Sequence, residues 1–308
     1  MRIALITEGT YPFVRGGVSV WCDRLIRALP DIEFDLYAVA GLPSENSAWT
    51  LPENVSLFET VAIETGPDPL FGRIPAAVRE EFLDALQLLV FGIVSPPAGD
   101  DGAFRAGLRG LYEAGRGFPI GGGIRSAEAF EVIRQGWVSR RPGEHLARLG
   151  PPSLHDVLEV SSALARYLAP LRAIRRGDVV HATANGIGSL MALTAGWDWN
   201  TPMLLTEHGV YLRERYLEQY EAPVPPRVRA FQLAFFRCLN NALLETADLV
   251  APVSEFNRRW ERRTGGDPSK ILTIHNGVDP EAFPLQMGEP AVPTISWVGR
   301  IDPLKDIK

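Results

Sequence analysis

Short runs of aliphatic and β-branched residues ending in Gly, Asn or Ser alternate along the chain with longer segments whose apolar residues recur at spacings of three and four. That alternation predicts βαβ units on a parallel sheet. Ile3–Thr7 reads as a buried strand and Glu8–Gly17 as a loop, and Val18, Trp21, Cys22, Leu25 and Leu29 share one face of the helix that follows. Phe34–Val39 and Val55–Val61 are predicted as the next two strands. From about Gly66 to Gly177 the period becomes helical, with segments near Pro75–Val90, Asp101–Ala114, Ser126–Val138 and Ser153–Ile174, which predicts a helical insertion. Strands return at Asp178–Thr183, Met203–Thr206, Leu249–Pro252 and Ile271–Ile274, with a helix after Gly186 and a long one near Arg227–Thr246. The long helix carries Val228, Phe231, Phe235, Cys238 and Ala242, a stripe that predicts deep burial. Pro284, Gly288, Pro290 and Pro293 mark a linker, so a domain boundary is expected at about residue 288, with a strand of a second unit opening at Thr294.

Composition changes this picture little. With 46% apolar and 22% charged residues in 308, the chain can bury a large core, and disorder is excluded. The net charge of −6 has the wrong sign for a protein that coats nucleic acid, so any anionic ligand has to be met by local charge. Two cysteines are too few for a disulfide framework, and both Cys22 and Cys238 lie in apolar helical stripes, as expected of reduced core residues. Ile3–Ile6 is too short for the apolar part of a signal peptide, and Leu86–Val94 is far shorter than the ~20 residues that span a bilayer. A cytosolic location is expected.

Three constellations carry candidate chemistry. After the first strand, Arg15-Gly16-Gly17 immediately precedes a helix. Ligands of parallel α/β sheets bind beyond the carboxyl ends of strands, where free N–H groups at a helix start attract phosphate. Arg300 and Lys305 follow the strand of the second unit, and a planar guanidinium with a mobile ammonium suits a departing diphosphate. His208, in Thr206-Glu207-His208-Gly209, follows a strand end next to a glycine that leaves room for a ligand; there an imidazole can hydrogen-bond a sugar or phosphate, or act as acid or base. His181 and His275 read as structural. The turn Gly186-Ile187-Gly188 approaches a dinucleotide fingerprint, with Glu207 about twenty residues on, but Met191 stands where a third glycine is needed for close packing. No spacing of Cys, His or Asp suggests a metal site.

Taken together, Glu8-Gly9-Thr10-Tyr11-Pro12 with Val14-Arg15-Gly16-Gly17-Val18-Ser19 and Trp21, Thr206–Arg215, Asn276-Gly277-Val278-Asp279 and Val298–Lys308 resemble the retaining glycosyltransferases of family 4, specifically the PelF branch that builds the Pel exopolysaccharide. The resemblance runs from Met1 to Lys308. It implies a GT-B architecture, in which a Rossmann-like acceptor-side domain with the insertion faces a second Rossmann-like domain that binds a nucleotide sugar. Only the first strand of that second domain is expected here. The implied reaction transfers a hexose from a donor such as UDP-glucose or another UDP-hexose to a growing polysaccharide with retention, by front-face displacement, with no metal and no resident cofactor. The implied site comprises His208 against the donor sugar, Arg300 and Lys305 on the diphosphate, and Arg15, Gly16, Gly17, Glu207 and Asn276 in substrate binding. The implied partners are the polysaccharide acceptor and an inner-membrane Pel synthesis complex, with no nucleic acid. The family's Glu-x7-Glu pair in the second domain has no counterpart after Lys305, so the chain is expected to be a fragment without measurable sugar transfer. Two alternatives stand beside this reading: a non-catalytic nucleotide-sugar-binding or scaffold module, and an NAD-binding oxidoreductase domain using the Gly186 turn.

Overall fold

The computed structural model describes the chain apart from residues 42–46, 64–71, 96–101, 139–145, 147, 283–287, 289–290, 296 and 298–308. Six strands, β1 (Arg2–Glu8), β2 (Glu33–Ala40), β3 (Val55–Ala62), β4 (Val179–Ala182), β5 (Met203–Glu207) and β6 (Leu249–Pro252), form one sheet in the order β3-β2-β1-β4-β5-β6. Every pairing in it is parallel. The fold is therefore α/β with a Rossmann-like open sheet, as the alternation predicts. Ile271–Ile274, expected as a further strand, runs beside β6 with one parallel bridge, Val250 to Ile271. Leu272 N–H and Ile274 N–H donate to the Val250 and Pro252 carbonyls at 2.9 Å each.

Alternation along β1 explains the layering. Ile3 and Leu5 pack with Cys22 and Ile26 of helix α1 (Gly17–Ala28) on one face of the sheet. Ala4 and Ile6 point to the other face, which the insertion covers. A strand buried on both sides has to be apolar at every position, hence its unbroken run. The insertion contributes α2 (Arg79–Val94), α3 (Gly102–Ala114), α4 (Ile120–Ile124), α5 (Ala127–Val138) and α6 (Leu154–Tyr167), close to where the sequence places helices. Phe82, Leu89, Phe104, Leu108, Ile133 and Val160 of these helices join Val180 and Leu205 of the sheet in one continuous core. The insertion is thus a layer of this domain.

The remaining described helices are α7 (Leu190–Trp199), α8 (Tyr211–Glu221), α9 (Pro226–Thr246) and α10 (Glu255–Arg263). α9 buries Phe231, Phe235, Cys238 and Leu243, as its stripe predicts, and both cysteines are buried thiols. Each such aliphatic or aromatic side chain contributes about 1.5–3 kcal/mol on burial. A hydrogen bond contributes about 1 kcal/mol net. The sheet and its helices therefore set the scaffold, and the loops at the strand ends are placed upon it. The compact unit is Met1–His275, and Asn276–Lys308 forms a separate unit. Most of the strand expected from Thr294 lies outside the described residues. Among the described residues no helix is long and apolar enough to cross a membrane.

Candidate functional site

The strand order reverses between β1 and β4, and loops that leave adjacent strands in opposite directions open a crevice at their carboxyl ends. The loop after β1 is fastened at several points. Thr7 Oγ1 donates to the Tyr11 carbonyl at 2.6 Å, and the fully buried Tyr11 hydroxyl donates to Asp23 at 3.3 Å. Trp49 packs on Tyr11 with centroids 5.8 Å apart, and its indole N–H donates to the Val14 carbonyl at 3.2 Å. Gly9 takes a left-handed φ of +61°, which suits glycine, and its N–H reaches the Val39 carbonyl at 2.8 Å. Arg15 and Gly17 are exposed at the end of this anchored loop. Helix α1 starts there with no side-chain cap on Gly16 and no acidic residue in its first turn. A Cβ on Gly16 or Gly17 would meet nothing within 4 Å. The hydroxyls of Thr10 and Ser19, on either side of the glycine pair, are buried with no hydrogen-bond partner among the described residues.

His208 is held beside this helix by Trp21. The two rings lie 4.6 Å apart edge to face, and the same indole lies 5.6 Å from His181. Burial holds the His208 imidazole down at about 4, and its Nε2 is buried with no partner among the described residues. At neutral pH it is therefore an uncharged ring with a nitrogen to spare, suited to hydrogen bonding and far from the poise of an imidazolium acid. His181 bonds Thr206 Oγ1 through Nε2 at 2.8 Å, is 5% exposed and is also held at about 4, by burial and then by His208. It is structural, as the sequence suggests. His275 is exposed, with Nδ1 3.2 Å from the Val253 carbonyl.

Two expectations about this crevice change. The space beside Gly209 is not open: a Cβ there would stand 2.2 Å from Glu214 Oε1, so the Glu214 carboxylate fills it. The Gly186 turn is also occupied from within. Glu8, the last residue of β1, accepts the Gly188 N–H on Oε2 at 2.8 Å and the Tyr211 hydroxyl on Oε1 at 2.8 Å. A carboxylate thus sits where a phosphate would at the start of this helical segment. Burial nonetheless pushes the Glu8 carboxyl up, against these two hydrogen bonds. A Cβ on Gly186 would stand 2.5 Å from both Glu8 Oε2 and the Tyr211 ring, so close packing inside the chain accounts for that glycine. This removes the main support for the dinucleotide reading.

Glu207 was expected to face substrate, and here the structure corrects the sequence. It is 2% exposed, and its Oε1 accepts the Tyr211 N–H at 3.1 Å. The Asn257 amide donates to its backbone carbonyl at 3.0 Å. Its carboxyl meets that of Glu261 on α10, also 2% exposed. Burial, then the charge of Glu261, pushes Glu207 well above the carboxylate range, and burial brings Glu261 to about 7. Glu207 therefore supports the turn from below.

The structure sets His208 against Trp21 of α1, the helix whose start Gly16 and Gly17 form, with Arg15 exposed at the adjoining loop end. Asn276 belongs to the second unit and is exposed, and Arg300 and Lys305 lie outside the described residues. Among the described residues no three His, Cys, Asp or Glu are grouped to hold a metal ion. The residues that sequence reasoning missed are Trp21, Glu8, Tyr211 and Glu261. Of these Glu8 had a signal, being a carboxylate at the carboxyl end of the central strand.

No curated protein matches the chain. The sequence does match a family described as Domain of unknown function (DUF3492), over residues 1–269. That span takes in all six strands and the helical insertion, and it ends close to the limit of the compact unit at His275. The chain belongs to the DUF3492 family.

Proposed function

We propose that this domain is the acceptor-side half of a retaining glycosyltransferase that moves a hexose from a UDP-linked donor to a growing exopolysaccharide. The observation that carries this reading is the glycine pair. Gly16 has φ −173°, extended backbone open to any residue, and neither glycine has a neighbour that a Cβ would strike. The chain itself does not require glycine at either position, in contrast to Gly186. Backbone bared at an uncapped helix start, at the switch point of the sheet, suits the close approach of an anion such as a diphosphate.

His208 supports the same reading. A neutral imidazole with an unpartnered nitrogen is matched to a sugar hydroxyl or a phosphate oxygen. In a front-face displacement the charge develops on the departing diphosphate, so donors and cations aimed there lower the barrier and no protein nucleophile is needed. The α1 N–H groups and Arg15 are the donors on this domain, and Arg300 and Lys305 are the cations this reading assigns to the diphosphate. The nucleotide sugar is substrate, and no resident cofactor takes part. A polysaccharide acceptor, a cytoplasmic location and an assembly at the inner membrane belong to the same proposal.

Calorimetric titration of UDP-glucose and, in parallel, of NAD into the protein tests it. UDP-glucose binding is expected, weakened by at least about tenfold, 1.4 kcal/mol, in Gly17→Ala. Preferential binding of NAD, or UDP-glucose affinity indifferent to Gly16→Ala and Gly17→Ala, would sink the reading.

A further inference from the structure

Helix α10 is short and polar, yet it buries an acid. Glu261 is 2% exposed, and both its carboxylate oxygens lack a hydrogen-bond partner among the described residues other than the carboxyl of Glu207. Glu207 has already given Oε1 to the Tyr211 N–H, so its other oxygen is left for Glu261. Among the described residues the one cation whose charge acts on the pair is Arg258, and burial outweighs its pull on Glu261. Arg258, the nearest, is turned to Glu255 at 3.4 Å. From α8 the pair is faced by the Tyr211 N–H and by Glu214, a second acid, and from α10 by Arg258 and by Asn257, which binds the Glu207 backbone. Two buried carboxyls in contact, with a third acid nearby and a cation already bound to Glu255, cannot both ionise without being driven apart.

We infer that Glu261 is a positioning residue: it shares one proton with Glu207, and through that bond it pins the 207–211 turn that carries His208. Glu207 is the donor and Glu261 the acceptor. The turn is then held at three points: by the shared proton, by the Tyr211 N–H on Glu207 Oε1, and by the Asn257 amide on the Glu207 carbonyl. Removing that shared proton, above the pH at which Glu261 ionises, would set two like charges against each other and push α10 and the turn apart. The inference rests on His208 as a ligand-facing group, but its physical content does not depend on which ligand.

Ring NMR of the five histidines, with His208 assigned from its absence in His208→Gln, reads the turn directly because Trp21 lies against that imidazole. In the wild type the His208 resonances are expected to move with a midpoint near 7, where Glu261 gives up its own proton and becomes the acceptor of the Glu207 proton, far above the imidazole's own value of about 4. Glu261→Gln can still accept the Glu207 proton, so it is expected to keep His208 packed on Trp21 and abolish the step near 7. Glu207→Gln restores the bond with an amide donor and is expected to keep His208 packed on Trp21, with Glu261 still titrating in that variant. Glu261→Ala leaves Glu207 without an acceptor and is expected to shift His208 at every pH. The inference is overturned if His208 titrates alike in the wild type and Glu261→Gln, or if a folded Glu261→Ala leaves His208 unmoved. Should the alanine variant not fold, the glutamine variants decide alone. UDP-glucose affinity measured on the same proteins keeps the two readings apart: wild type that fails to bind it removes the glycosyltransferase reading, and the NMR result still decides the positioning role.

Discussion

Trp21 and His208 meet edge to face at 4.6 Å, one from the helix after the first strand and the other from the turn after the fifth. That contact joins the two halves of the crevice, since α1 carries the bared glycines and the turn carries the unpartnered imidazole. It also keeps water from the ring, and burial is what holds His208 near 4. Trp21→Leu is therefore expected to raise the His208 pKa toward the ordinary 6.5 and to cost about 2 kcal/mol of stability through lost aromatic contact and a partial cavity. Histidine NMR titration and urea denaturation check the two effects separately. An unchanged His208 titration would show that the indole does not shield it.

Glycines in the two turns are expected to behave oppositely. Gly16→Ala and Gly17→Ala place a methyl in open space, so stability is expected to stay level or to rise by up to about 1 kcal/mol as the unfolded chain loses freedom. Gly186→Ala drives a methyl to 2.5 Å from Glu8 Oε2 and the Tyr211 ring, and is expected to cost about 1–3 kcal/mol. Thermal unfolding of the three variants distinguishes these signs. If Gly16→Ala were as damaging as Gly186→Ala, the glycine pair would have a structural reason and lose its link to a ligand.

The same contrast shows what the sequence makes legible. A central strand of a parallel sheet is buried on both faces, so β1 and, apart from Asp35, β2 announce themselves as apolar runs, and the stripes of α1 and α9 follow from burial of one helical side. Helices α8 and α10 carry no such stripe. α8 buries none of its described side chains, and α10 buries only Asn257 and Glu261, so polar contacts hold it in place and hydrophobic period does not reveal it. The glycines of both turns stood out equally in the sequence. Which of the two was already filled depended on Glu8 reaching Gly188 across 180 positions of chain, a tertiary fact with no local trace.

Tyr211→Phe tests the Glu8 link without changing shape. The Tyr211 hydroxyl is one of two donors that keep the buried Glu8 carboxylate satisfied, the other being the Gly188 N–H. Removing one donor from a buried acceptor costs about 1–3 kcal/mol. The Glu8 carboxyl, already raised by burial, is expected to rise further because a bond that favours its charged form is gone. Chemical denaturation of the variant across pH checks both effects, with the deficit predicted to shrink at low pH, where Glu8 is protonated.

Acid weakens the histidine side of the crevice. His181 and His208 are both held at about 4, below the ordinary 6.5, so between those values the unfolded chain binds protons that the folded chain does not. Stability due to these two rings is therefore complete above about 6.5 and is lost as pH falls toward 4. Replacing His208 with Gln is expected to flatten that part of the profile, seen as a smaller loss of urea stability between pH 7 and pH 4.5 than in the wild type. An equal loss in both proteins would mean that His208 is hydrated.

The carboxyl pair acts in the opposite direction, which makes it separable. Glu261 titrates at about 7 in the folded chain against 4.5 for an ordinary glutamate, so between those values the folded state holds a proton that the unfolded state has lost. Stability from this group is thus greatest below 4.5 and declines as pH rises through 7, while Glu207, pushed higher still, extends the decline upward. Glu261→Gln removes the charge that makes the decline and keeps an acceptor for Glu207. Relative to the wild type it is expected to gain on the order of 2 kcal/mol between pH 5 and pH 8. Because the histidines contribute equally to both proteins, the difference between the two urea profiles isolates the pair. Parallel profiles over that range would mean that the Glu207 and Glu261 carboxyls do not share a proton in the folded chain.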